Sequence, residues 1–276
     1  MAKSLIKALL MSKPLINFVH ANGFPSGSYQ TLFNLMSNNH KVVALSKYGH
    51  QKAYPVENNW QPQVNELISY VEQQLKIHNQ EKLVCIGHSF GGVISFIAAC
   101  QKPALFSQLI MLDPPVVSGS KALAVKLIKK TKLIDKFSPA GKAKSRRKHW
   151  PIGTNLEAIF ARKSLFKNFD KRCLHDYVVH GITERNNQLE LVFDADVEAD
   201  IFRNLATNLS SYKNKLTIPA TLLYGAQTDV MPHEIFKQFV KLNKHISLES
   251  IEGGHMYPLE NPDETALRLE SIISSN

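Results

Sequence analysis

Residues 87–91 read Gly-His-Ser-Phe-Gly, and Gly92 follows them. A serine with a glycine two residues away on each side can occupy a sharp, strained turn, because neighbouring chain passes close to residues without side chains. Residues 82–87 have the pattern of a buried strand and residues 91–100 that of a helix. This context predicts that Ser89 is a nucleophile, the alternative being a buried serine in an ordinary turn.

A serine hydroxyl is a poor nucleophile at neutral pH, so a base must lie within hydrogen-bond reach of Ser89. Of the eleven histidines, His255 follows a glycine pair directly after the last predicted strand, residues 245–251. That position is at the carboxyl edge of the sheet, where the serine turn also opens. We therefore predict His255 as the base, the alternative being a histidine of a surface loop.

The base needs a carboxylate that holds its tautomer. Asp229 lies in the loop that follows the predicted strand 220–225, and it gives the chain order Ser, Asp, His that is typical of this arrangement. Asp113 is a rival, because it also ends a strand at the same edge. Its alternative role is to cap the turn that it makes with Pro114 and Pro115. We predict Asp229.

Acyl transfer also needs backbone N–H groups that stabilise the developing oxyanion. The amide of Phe90, which follows the nucleophile, is the first predicted donor. The turn at residues 20–25 lies at the same edge, and we predict Phe24 as the second donor with Asn22 as the alternative. An ordinary glycine turn, with Phe24 packed in the core, explains the same residues.

Apolar residues of the lid suit a substrate with a hydrophobic group, although core packing explains them equally well. The predicted substrate contacts are His20, His88, Trp150, Phe160 and Met256.

Strand and helix patterns alternate as far as Pro115, which predicts an α/β fold with a mostly parallel sheet and helices on both faces. Residues 116–215 then show helical periodicities without a clear buried strand, and the strand pattern resumes near residue 219. We predict a core of residues 1–115 and 216–276, interrupted by a helical lid of residues 116–215.

Composition indicates a globular protein, with 44% hydrophobic and 20% charged residues. The three cysteines are an odd number at unrelated spacings, which favours neither a disulfide framework nor a metal site. Lys7 interrupts the apolar stretch near the N-terminus, so it resembles a signal peptide only superficially, and no stretch has the length of a membrane span. These features predict a cytoplasmic location.

The net charge of +10 comes from one segment, because residues 121–149 contain eleven Lys or Arg and the single acidic residue Asp135. Leu123, Leu127, Ile128 and Ile134 share one side of a helical wheel there, and most lysines take the other. Residues 121–148 could make a weak contact with an anionic membrane surface or bind acidic substrate groups. We favour a lid helix with a buried apolar side and a solvated lysine face. The segment lacks interleaved aromatic residues, which disfavours nucleic-acid binding.

Residues 20–29, the serine turn, Asp229 and the Gly254-His255 pair with residues 260–262 together resemble the α/β-hydrolase superfamily of lidded serine hydrolases. The resemblance covers most of the chain and implies an acyl-enzyme on Ser89, proton transfer by His255, and no metal or organic cofactor. Two features depart from the family pattern. Ala21 and Asn22 separate His20 from Gly23, and residues 1–14 leave room for at most one leading edge strand, around residues 5–11.

The resemblance implies hydrolysis of a carboxylic ester or thioester, a small molecule with an apolar acyl group. Carbon–carbon bond hydrolysis and acyl transfer use the same three residues and remain alternatives, as does a binding module without catalysis. Epoxide hydrolases and dehalogenases are disfavoured, because those relatives carry aspartate where this chain has Ser89. The substrate's identity and the oligomeric state stay open.

Overall fold

The structure of the protein is a computed structural model that describes residues 13–117, 119–129, 131 and 134–275. The predicted edge strand at residues 5–11 lies outside the described residues. The strands are β1 (Leu15–Val19), β2 (Lys41–Val43), β3 (Leu83–His88), β4 (Phe106–Leu112), β5 (His149–Pro151), β6 (Ile182–Arg185), β7 (Gln188–Leu191), β8 (Ala220–Gly225) and β9 (Ile246–Ile251). The helices are α1 (Gln30–Met36), α2 (Gln61–His78), α3 (Phe90–Gln101), α4 (Gly119–Ile128), α5 (Ile134–Phe137), α6 (Ala140–Ser145), α7 (Leu156–Ala161), α8 (Lys171–Gly181), α9 (Ala195–Arg203), α10 (His233–Lys241), α11 (Tyr257–Glu260) and α12 (Pro262–Ser274).

Six strands form a parallel sheet in the order β2-β1-β3-β4-β8-β9. Its inner strands are almost continuously apolar, because helices cover both faces and nearly every side chain is buried. Leu15 and Val19 of β1 pack on the side of α2, α3 and α10, whereas Ile16 and Phe18 pack on the side of α1 and α12. The predicted α/β fold, with helices on both faces of a parallel sheet, is confirmed.

The segment between β4 and β8 contains α4 to α9 and also a three-stranded antiparallel sheet in the order β5-β7-β6. The prediction of an entirely helical lid is therefore wrong. These strands are three or four residues long and largely exposed, so they leave no buried apolar run in the sequence. The Asn186-Asn187 pair, at φ 50° and 58°, makes the hairpin turn between β6 and β7 and was the missed signal.

The favoured burial of the apolar side of residues 121–136 is wrong for two of its four residues. Leu123 and Leu127 are each 60% exposed, whereas Ile128 is half-buried and Ile134 is buried. No helix within the described ranges combines the length and the apolar character needed to cross a bilayer.

Candidate active site

Ser89 occupies the turn between β3 and α3 with φ 54° and ψ −121°, a backbone conformation that L residues rarely adopt. Its N–H donates to the carbonyl of Leu112 over 2.8 Å. A Cβ on Gly91 would collide with the carbonyl oxygen of Val19, and a Cβ on Gly87 with that of Gly91. The close approach of three backbone segments therefore holds Ser89 in its strained turn at the carboxyl edge of the sheet.

Ser89 and His255 lie within hydrogen-bond distance, with Oγ of Ser89 3.0 Å from Nε2 of His255. The other ring nitrogen, Nδ1, lies 2.6 Å from Oδ2 of Asp113. An ionised carboxylate can only accept, so the Nδ1–H of His255 donates to Asp113 and Nε2 is left to accept the Ser89 hydroxyl. This tautomer is the one that lets His255 take a proton from Ser89.

Asp113 is completely buried and sits at φ 45°. Besides His255, it accepts the N–H of Gly225 at 3.0 Å and the hydroxyl of Thr228 at 2.6 Å. Hydrogen bonds of this kind stabilise the charged carboxylate, so both of its oxygens are compensated although no water reaches them.

The prediction of Asp229 as the partner of His255 is wrong, because Asp229 is exposed and Asp113 occupies that position. The loop that carries Asp229 does reach the site, but through Gly225 and Thr228. Strand β4, which ends at Asp113, lies directly beside β3 and its Ser89, whereas β8 is one strand further away. Each step across a sheet is about 4.8 Å, so the carboxylate after β4 is the nearer one.

His88 belongs to a buried chain of hydrogen bonds behind the histidine loop. Its Nε2 lies 3.0 Å from the carbonyl of His255, so it carries the proton and donates. Its Nδ1 therefore accepts the hydroxyl of Tyr29 at 2.7 Å, and that hydroxyl accepts the N–H of Ala21 at 3.2 Å. Burial lowers the pKa of His88 to about 3, with a smaller effect from His255. His88 is neutral and positions the His255 loop, so its prediction as a substrate contact is wrong.

Both ring nitrogens of His20 are likewise used in hydrogen bonds within the protein. Its Nε2 accepts the N–H of Tyr48 at 3.1 Å, and its Nδ1–H donates to the carbonyl of Ala21 at 2.8 Å. Complete burial lowers its pKa to about 4. With both ring nitrogens used, His20 shapes the turn at residues 20–25 rather than contacting substrate, which corrects its predicted role.

The same turn decides which amides are available for an oxyanion. The N–H of Phe24 donates to the carbonyl of Ala21 at 3.2 Å, so the predicted second donor is already engaged. The N–H groups of Asn22 and Phe90 donate to no protein acceptor among the described residues. Of the three predicted donors, Asn22, the alternative at the sequence level, and Phe90 therefore keep free backbone N–H groups.

A buried ion pair adjoins this turn and was not found from the sequence. Nη2 of Arg146 lies 2.6 Å from Oε2 of Glu198, and the Asn22 side chain donates to the Glu198 carbonyl at 2.9 Å. The Glu198 carboxylate is so close to Gly23, at φ 81°, that a Cβ there would lie 2.9 Å from Oε1. Burial raises the pKa of Glu198, and Arg146 opposes that effect. Nothing in the basic run of residues 144–148 distinguishes Arg146 from its neighbours.

Aromatic side chains of the inserted segment pack against the turn. Tyr177 lies with its ring centroid 5.3 Å from Phe24, 5.2 Å from Phe160 and 4.8 Å from Phe166. Trp150 packs on Phe160 at 5.8 Å, and its Nε1 is buried without a hydrogen-bond partner in the described part of the chain. Trp150, Phe160 and Met256, all predicted to contact substrate, are 2%, 3% and 6% exposed, so they lie within this apolar cluster.

Among the described residues, no group of three or more His, Cys, Asp or Glu side chains has the arrangement of a metal site. The ionisable groups that converge on Ser89 are His255 and Asp113. Their geometry suits general-base activation of a hydroxyl nucleophile.

Comparison with known proteins agrees with the geometry. A family model described as the alpha/beta hydrolase fold matches residues 16–262. A rat (Rattus norvegicus) monoglyceride lipase is 27% identical over 131 residues, which cover 46% of this chain and 43% of the lipase. An uncharacterised hydrolase of Bacillus subtilis, YugF, is 25% identical over 281 residues, covering 92% of this chain and 89% of its own.

The solved structures include a similar fold. The crystal structure of an E-2-(acetamidomethylene)succinate hydrolase superposes with a TM-score of 0.75 at 16% identity, covering 95% of this chain and 92% of that one. This chain spans less than half the length of the rat lipase that it matches. The extent of the family match nevertheless shows that this chain belongs to the family of enzymes with the alpha/beta hydrolase fold.

Proposed function

We propose that the protein is a serine hydrolase that cleaves a carboxylic ester or thioester with an apolar acyl group, through an acyl-enzyme on Ser89. The observation that carries the proposal is the continuous hydrogen-bonded chain from Ser89 through His255 to the buried Asp113. This chain gives the serine a base, gives the base its tautomer, and compensates the charge that the base acquires.

In the proposed reaction, Oγ of Ser89 attacks the acyl carbonyl carbon while Nε2 of His255 takes the hydroxyl proton. The free N–H groups of Asn22 and Phe90 stabilise the oxyanion that forms. The bond to the leaving oxygen or sulfur then breaks, and His255 returns its proton to the leaving alcohol or thiol. Water attacks the acyl-enzyme with His255 again as base, which releases the carboxylic acid and restores Ser89.

The acyl group is proposed to lie beside the aromatic cluster of Phe24, Phe160, Phe166 and Tyr177. These side chains pack against the turn that holds the Asn22 donor, so a chain leaving the acyl carbon in that direction meets apolar side chains. The similarity to a rat monoglyceride lipase supports a carboxylic ester as the substrate.

We also propose a cytoplasmic location. The three cysteines are free, and Cys85 and Cys173 are buried. A reducing compartment keeps such thiols reduced, which supports the proposal.

The test is a hydrolysis series with p-nitrophenyl esters from acetate to palmitate, on the wild type beside Ser89→Ala and His255→Ala. We expect turnover of the wild type, with an optimum at an intermediate or long acyl chain, and loss in both variants. Turnover that survives Ser89→Ala would overturn the proposal.

A fluorophosphonate probe adds a second measurement that needs no knowledge of the substrate. Labelling of Ser89 without turnover of any ester would replace ester hydrolysis by carbon–carbon bond hydrolysis or acyl transfer with the same residues. Failure to label Ser89 would favour a binding module that does not catalyse.

A further inference from the structure

Helix α4 turns Ala122, Val125 and Ile128 toward the rest of the molecule and leaves two leucines outside. Ala122 is buried and Lys129, directly after the helix, is half-buried, while Leu123 and Leu127 are each 60% exposed. Nζ of Lys129 donates to Oδ1 of Asn58 at 2.6 Å and to the carbonyl of Leu205 at 2.5 Å. These bonds anchor a lysine inward, and the two leucines one helical turn apart consequently face solvent.

Exposed basic residues occur beside the leucines and again later in the same segment. Lys126 lies three residues after Leu123, at the border between the leucines and the buried Ala122, and it is exposed. Further along the chain, Lys142 and Lys144 of α6 are exposed, as is Arg147, because Ala140 and Ala143 of α6 pack inward on α9 instead.

The positive charge of this segment is balanced only in part, by the pairs of Arg146 with Glu198 and of Lys148 with Asp196. Asp135 is the only acidic residue among residues 121–149, and both of its carboxylate oxygens accept from Arg203, at 2.8 and 2.9 Å. Its charge is therefore compensated by an arginine from outside the segment. The exposed lysines keep an uncompensated field toward solvent.

This surface lies close in the chain to the active site. Helix α4 begins at Gly119, shortly after the buried Asp113, and Val116 and Val117 between them are 1% and 5% exposed. These buried valines hold the entrance to the helix at the carboxyl edge of the sheet, where Ser89 lies.

We infer that the exposed side of α4 docks on an anionic lipid bilayer, with Leu123 and Leu127 inserted at the acyl boundary and Lys126 and its basic neighbours against lipid phosphates. Apolar residues flanked by lysines on one helix side are the pattern of interfacial helices. A second copy of the chain fits this surface poorly, because a symmetric contact would bring the same basic residues together. The inference concerns binding and stands apart from the reaction on Ser89.

The test uses the full chain and measures flotation with vesicles of phosphatidylcholine, with and without phosphatidylglycerol. We expect binding to the vesicles that contain phosphatidylglycerol, weakened by added salt. The double variant Leu123→Ser/Leu127→Ser should bind at least about tenfold more weakly, because the apolar area that would be inserted is lost. The triple variant Lys126→Gln/Lys142→Gln/Lys144→Gln should lose a similar factor, since each lysine near an anionic surface contributes to the attraction.

The matched control is Leu267→Ser on α12, because Leu267 is also an exposed leucine on a helix, at 72%. It should bind as the wild type does, and circular dichroism should show that all variants remain folded. Absence of binding to phosphatidylglycerol vesicles at low salt would overturn the inference, as would equal losses in the control and the double variant. Dimers in sedimentation velocity that the double variant abolishes, without vesicle binding, would assign the surface to a second copy instead.

Discussion

The carboxylate of Asp113 and the imidazole of His255 meet at 2.6 Å, although 141 residues of chain separate the two positions. Asp113 follows β4, and His255 follows β9, two strands away across β8. The His255 loop reaches back over β8, and its own backbone carbonyl accepts a hydrogen bond from His88 beside Ser89. The hydrogen bond between Asp113 and His255 therefore depends on the conformation of the loop that carries His255.

Asp113→Asn should lower kcat by about 10⁴-fold, because an amide that donates to Nδ1 leaves His255 in the wrong tautomer. Asp229→Asn is the matched control, since Asp229 is exposed at the same edge. It should retain the wild-type rate. The measurement is kcat on the best p-nitrophenyl ester, and a larger loss in the Asp229 variant would restore Asp229 as the partner of His255.

Gly91→Ala should prevent folding or lower the yield severely, because its Cβ would collide with the backbone of Val19 in the adjacent strand. Gly181→Ala is a suitable comparison. Its Cβ would meet Tyr177 at an ordinary 3.6 Å, so we expect a change of at most about 1 kcal/mol in the free energy of unfolding. Urea unfolding of purified protein, with soluble yield as the first readout, checks both. A folded, stable Gly91→Ala protein would contradict the described turn.

His88 should make stability depend on pH. Burial lowers its pKa from 6.5 to about 3 in the folded protein, so only the unfolded chain takes up its proton between these values. The contribution of neutral His88 to the free energy of unfolding is therefore complete above pH 6.5 and is lost as the pH falls toward 3. Between pH 6.5 and 5 the loss is roughly 2 kcal/mol, since one pKa unit corresponds to about 1.4 kcal/mol.

We therefore expect His88→Gln to be less stable than the wild type at pH 7 but to lose less stability on going to pH 5. The measurement is urea unfolding of both proteins at the two pH values. Other groups, such as Glu66, whose pKa burial raises to about 7, titrate equally in both proteins and cancel in the comparison. Equal losses of stability in the two proteins would show that His88 is not held neutral.

Arg146→Met should destabilise the protein by about 2–3 kcal/mol, because Glu198 would remain buried without its partner. The double variant Arg146→Met/Glu198→Leu should recover much of that loss, since no unpaired charge remains. Arg185→Met is the control, because Arg185 is 73% exposed in its pair with Glu190. Such surface pairs contribute little, about 0.5 kcal/mol. Thermal unfolding compares the stability of the wild type and the three variants. If the double variant recovers no stability, the destabilisation does not come from an unpaired Glu198.

Local pattern sufficed for the family and for the fold class, both of which are confirmed. The glycine spacing of residues 87–91 and the apolar strand before it place a serine in a strained turn at a strand end. Each of these features is encoded within a few consecutive residues, so a single sequence suffices to recognise them. The same holds for His255, which follows a glycine pair at the end of the last strand.

Tertiary structure alone decided between Asp113 and Asp229, between Asn22 and Phe24, and which side of α4 faces solvent. Both aspartates follow strands at one edge, and the chain order that favoured Asp229 in the sequence ranked them wrongly. The order of strands across the sheet ranks them correctly, because it sets the distance of each carboxylate from Ser89. Two further features depend on the folded backbone. The Phe24 N–H is used by the carbonyl of Ala21, and Lys129 is drawn inward by hydrogen bonds to segments distant in the sequence. The sequence by itself therefore determined the family, the fold class and the strained serine turn, whereas long-range strand pairing and packing decided which side chains and amides meet there.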